Sequence, residues 1–105
     1  MIAGVRPFPA LFSEAVTVGL ADVLGSAGAR AAFFHLRLTQ PSDAEEVHEG
    51  LVSFFGAGTQ ALEASILREL YARVGSSFDP EESMTFMAFV TRARKMHSKL
   101  GGEQK

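Results

Sequence analysis

Residues 54–75 read FFGAGTQALEASILRELYARVG. Leu62, Ile66, Leu70 and Val74 recur every fourth position, and Leu67 and Tyr71 widen the stripe, the spacing of one buried helix face. Gly56 and Gly58 break the chain before this run, Thr59 can cap the new helix, and Gly75 stops it. This is the most regular stretch in the sequence. If Leu70 is in the core, Leu70→Ala should cost roughly 2–5 kcal/mol in a urea melt. A loss of less than about 1 kcal/mol would remove it from the core.

Working outward, Ser42-Asp43-Ala44-Glu45 has the form of a capping box, with Ser42 as cap and Glu45 reaching back to it. A helix is therefore predicted to start there, with Val47, Leu51, Phe54 and Phe55 on its inner face. Pro41 ends the preceding helix, which runs through AAFFHLRL to about Thr39 from a start near Ser26 or Ala29. The first helix enters at Pro7 and Pro9, places Phe12, Val16, Gly19, Leu20 and Val23 inward, and ends at Gly25. In the last helix Phe86, Phe89, Val90, Ala93 and Met96 face inward to about Lys99, with Asp79 or Ser83 as the cap.

No stretch alternates with period two, so the expected fold is all-α, a bundle of about five short helices without a sheet. At 105 residues this is one domain: an arm over 1–8, a helical core over 9–99 and a tail over 100–105. Apolar residues make up 47% of the chain, with nine Phe and no Trp, which argues for a packed core and against disorder. The absence of Cys excludes disulfides, thiolate metal sites and a cysteine nucleophile. A chain without Cys, without a signal peptide and without a run of roughly 18 apolar residues is expected in the cytoplasm, away from membranes.

Net charge is −2, unevenly spread: +1 over residues 1–42, −7 over 43–82 and +4 over 83–105. The Gly-rich corner suggests a helix-turn-helix, but Phe54 is large where close packing needs a small residue. The would-be recognition helix would expose Glu63, Arg68, Glu69 and Arg73, which sum to zero and gain nothing from counterion release. The basic residues Arg92, Arg94, Lys95 and Lys99 could contact phosphates, although cations at a helix C-terminus also complement its dipole without any ligand. Glu45 and His48 form one E-x-x-H, but no second copy exists to complete a di-iron site.

His35 lies between apolar neighbours with no Ser or Asp partner that spacing can assign, and the roles of His48 and His97 are open. In Phe33-Phe34 and Phe54-Phe55 adjacent rings point about a hundred degrees apart, so one of each pair should lie partly outside the core. Phe33, Phe34, His35, Phe54 and Phe55 are therefore the candidate interaction surface, for a protein partner or for a homodimer. No catalytic residue, cofactor or metal site is expected. GAG lacks both a preceding strand and the phosphate-loop Lys.

FFHL (Phe33 to Leu36), the Gly56/Gly58 corner and the run Ala61, Leu62, Glu63, Ile66, Leu67, Glu69, Leu70, Tyr71, Gly75, followed by TFMAFVTRAR, resemble a small, mostly archaeal family of signal-output domains named after a Nitrosopumilus example. The resemblance would cover most of residues 10–95. It implies a non-catalytic role in signal transduction and brings no ligand residues with it. The basic end of the last helix departs from that family's acidic one. The expected function is a helical output or protein-interaction module. The alternatives are a nucleic-acid-associated regulator using the basic helix and a small-molecule sensor with an apolar pocket.

Overall fold

The computed structural model describes residues 7–36 and 43–98. Within them the chain forms α1 (Phe8–Leu36), α2 (Ala44–Phe55), a 3-10 turn (Gly56–Gly58), α3 (Thr59–Arg73) and α4 (Phe86–His97), with no strand. The fold is all-α, as the patterning predicts, but it does not contain five separate helices. The first two predicted helices meet directly at a kink, without a loop between them. Gly25 breaks helical geometry where a stop is expected, at φ 80°, yet helix resumes without a connecting loop. The expected end at Thr39, the Ser42 cap, Lys99 and the tail lie outside the described residues.

α1 and α3 pack along each other and carry the core. Phe12, Ala15, Val16 and Leu20 of α1 meet Leu62, Ile66, Leu67, Leu70 and Tyr71 of α3, all buried. Leu70 is fully enclosed, so the cost predicted for its truncation applies. Arg73 ties the pair together at one edge, donating from Nε to Glu14 (3.0 Å) and from Nη1 to Glu69 (2.7 Å). α4 closes the far side against α2 and α3 with Phe86, Phe89, Val90 and Ala93. Residues 8–34 of α1 reach a mean hydropathy of 1.3 in their most apolar window, a length and composition shared by membrane spans and by the core helices of soluble proteins.

Several local expectations are corrected. Asp43 caps α2, its Oδ1 accepting the Glu45 amide at 3.0 Å, because its carboxylate reaches the second helical amide. Thr59 is already helical, and its hydroxyl turns inward to donate to the Leu51 carbonyl at 3.0 Å, joining α2 to α3 across the corner. Thr85, rather than Asp79 or Ser83, caps α4 by accepting the Ala88 amide at 3.1 Å. Asp79 instead closes a turn onto the Glu81 amide. α3 ends as Gly75 predicts: Gly75 takes φ 78° and donates to Ala72, while Ser76 donates to Tyr71, satisfying the last carbonyls.

Val23 and Phe54, expected inside, are half exposed, because Leu24 and Phe55 take the core positions beside them. Phe8, assigned to the arm, is buried in the first turn of α1. Glu63, expected on the outer face of α3, is only 9% exposed.

Candidate functional groove

The buried Glu63 leads to the main polar feature of the molecule. α2 and α3 diverge from the Gly56–Gly58 corner, and about two turns back along α2 His48 faces Glu63 of α3. His48 Nδ1 hydrogen-bonds Glu63 Oε2. The imidazole lies nearly parallel to the Phe86 ring, with centroids 6.3 Å apart and planes inclined by 20°. Burial pushes the Glu63 carboxyl above its ordinary 4.5, partly offset by the hydrogen bond from His48. The contact occupies Nδ1 and leaves the second ring nitrogen, Nε2, for a further hydrogen bond. Among the described residues nothing hydrogen-bonds Nε2.

The pair stands in the wall of an open groove of about 1060 Å³ between the α2–α3 corner and the 76–85 segment leading into α4. Val52, Leu67, Phe78, Met84, Met87 and Phe89 supply its apolar lining. The charged lining is acidic throughout: Glu63, Glu81 and Glu82, with neither Lys nor Arg among the described residues. His48 and Glu63 resemble the base and orienter of a hydrolase, but among the described residues no hydroxyl hydrogen-bonds the imidazole. The Thr59 hydroxyl donates to Leu51, and Thr85 Oγ1 accepts the Ala88 amide.

The raised carboxyl gives a pH-dependent expectation. A group whose folded pKa exceeds its unfolded value favours folding below the unfolded value and loses that contribution as pH rises through the folded one. In a His48→Gln background, where no imidazole titrates at this site, chemical melts should find Glu63 stabilising relative to Glu63→Gln at acid pH. The advantage should shrink as pH climbs above 4.5. A pH-independent difference between the two variants would show that burial does not tax the Glu63 carboxylate.

The other sequence candidates lie elsewhere. Phe33 and Phe55 pack against the core, whereas Phe34 is 81% and Phe54 50% exposed, so each pair does send one ring outward. The His35 side chain lies outside the described residues. Of the basic cluster, Arg92 pairs with Glu82, donates to Tyr71 Oη at 3.4 Å and lies 5.7 Å from the Phe89 ring centre. The Glu82 and Tyr71 hydrogen bonds hold its pKa above the ordinary arginine value. Arg94 sits over the Phe8 ring, 5.0 Å from its centre, and Lys95 is exposed. His97 contacts Phe8 at 6.0 Å.

Glu45 and His48 do not come together as a ligand pair, since His48 turns to Glu63. No group of three His, Asp or Glu side chains able to hold a metal occurs among the described residues. The groove itself escapes the sequence reading. Its only sequence signal is a glutamate on the apolar side of α3, beside Leu62 and Ile66. Comparison with known protein families, characterised proteins and solved structures finds no match.

Proposed function

We propose that this chain is a non-catalytic helical interaction module that works through the groove between the α2–α3 corner and the 76–85 segment. The observation that carries the reading is an open apolar trough, half-exposed at Val52, with a single imidazole–carboxylate pair in its wall. Concave apolar surfaces with a few polar groups are where binding concentrates. Two methionines, Met84 and Met87, add soft side chains that adapt to a bound segment. A signal-output role in a reducing cytoplasm, the sense of the archaeal resemblance, is compatible with such a surface.

The nucleic-acid alternative is weaker, because Arg92 and Arg94 are already engaged with Glu82 and the Phe8 ring. Selection of a random peptide display library on the purified protein tests the proposal. Selected peptides should perturb the amide resonances of Val52, Ala64 and Met87 and lose binding to Ala64→Arg. Peptides that map to α1, or binding undiminished in Ala64→Arg, would reject the groove. Duplex DNA that binds at low salt and is lost when Arg92, Arg94 and Lys95 become Gln would support the basic helix instead.

A further inference from the structure

The chemistry of the groove narrows its occupant. Its apolar residues come from three elements, Val52 on α2, Leu67 on α3 and Met84 and Met87 at the entry to α4, so they form a trough rather than a closed pocket. Its volume of about 1060 Å³ lies at the top of the range for small-molecule clefts, and it is open along its length. An amphipathic helix fills such a trough with anchors one turn apart.

The charged residues that line it are all acidic. Glu81 and Glu82 stand on one side and Glu63 in the wall. On α2, Glu45 and Glu49 are exposed one turn apart, on one side of the His48–Val52 stripe. One cation already meets this rim from within the molecule: the Arg92 guanidinium pairs with Glu82 and lies over the Phe89 ring. That contact displays the chemistry the rim accepts. The Glu63 carboxyl in the wall points the same way, since it adds an acceptor beside His48 to the acidic lining. It suits an N–H donor and offers nothing to a carboxylate.

We infer that the groove receives a basic amphipathic helix from a partner protein. Its apolar anchors lie against Val52, Leu67, Met84 and Met87, and its Lys or Arg side chains reach Glu81 and the His48–Glu63 pair. This rests on the interaction reading above and adds the chemistry of the partner.

The test uses three synthetic amphipathic peptides with identical Leu and Met anchors and polar faces of Lys/Arg, Gln or Glu, together with a basic peptide carrying a central Pro. Each is titrated into the full chain and followed by amide chemical shifts. The basic peptide should bind roughly tenfold tighter than the neutral one, and the acidic peptide weakest, with the spread closing at high salt. The proline peptide should bind more weakly than its helical counterpart. Glu81→Lys, an exposed and fold-neutral change, should narrow or reverse the preference.

Equal binding of all three peptides in the groove would leave the interaction module standing and overturn the basic partner. Equal binding of the proline peptide would overturn the helix. If no peptide moves groove resonances, the inference fails, and the display selection then decides whether the module reading fails with it. Groove shifts produced by raising the protein concentration alone would assign the surface to a second copy of this chain and overturn the inference.

Discussion

Gly19→Leu is expected to abolish cooperative folding, and Gly19→Ala to cost more than any helix-propensity gain can return. Gly19 lies in α1 where that helix crosses α3 most closely. A Cβ there would stand 2.7 Å from Ile66 Cα, 2.8 Å from Ile66 N and 2.9 Å from Ile66 Cγ1. Two of these atoms are backbone, so no rotamer change makes room, and the helices must separate. Separation would also stretch the buried hydrogen bond from Ser65 Oγ to the Gly19 carbonyl, 2.8 Å long, which pins the crossing.

Alanine in place of glycine inside a helix ordinarily gains about 1 kcal/mol. Overpacking costs roughly 1–3 kcal/mol, and the upper end applies where backbones must move, so Gly19→Ala should be a net loss of up to about 2 kcal/mol by urea melt. Leucine adds three further carbons to the same gap and should exceed what a domain of this size can lose. Adding Ile66→Ala should not rescue Gly19→Ala, since it removes Cγ1 and leaves Cα and N in place. A Gly19→Ala protein at least as stable as the wild type would mean that α1 and α3 do not approach this closely.

That crossing was only half legible in the sequence. The stripe Leu62, Ile66, Leu70, Val74 is readable because a buried helix face repeats its apolar residues at a fixed period, and every member is buried. Gly19 falls on the predicted inner face of α1, but spacing cannot tell a glycine that admits a neighbouring backbone from one that merely weakens a helix. The caps were less legible. Ser, Thr and Asp compete for the same amides within a residue or two, and the local backbone chooses Asp43 and Thr85.

The groove was the least legible feature. Its wall pairs His48 with Glu63, fifteen positions apart on different helices. Sequence reasoning placed His48 beside Glu45 instead, because it sees neighbours along one helix better than neighbours across a corner. Similarly, the −7 charge of residues 43–82 was visible, but not that Glu63, Glu81 and Glu82 from it converge on one trough. The basic end was visible too, while its engagement with Glu82 and Phe8 required the packing of α4 against the rest of the fold.

Phe86→Ala should remove roughly 3–5 kcal/mol of stability and disorganise the groove in the same step. The ring is 5% exposed at the first position of α4. It packs between Phe12 of α1, at 6.3 Å and 49°, and His48 of α2, at 6.3 Å and 20°. Three helices therefore converge on one side chain, and the cavity left by its loss cannot close without shifting one of them. Phe86→Leu, which refills most of the volume, should recover the larger part of the loss while removing the ring beneath the imidazole. The His48 ring-proton resonances separate the two roles: both variants should change the ring-current shift from the neighbouring Phe86 ring, and only Phe86→Ala should melt early. Phe34→Ala, at a position 81% exposed, should stay within about 0.5 kcal/mol of the wild type. If Phe34→Ala costs as much as Phe86→Ala, the aromatic end of α1 carries the fold, and the convergence of α1, α2 and α4 on Phe86 does not organise the groove.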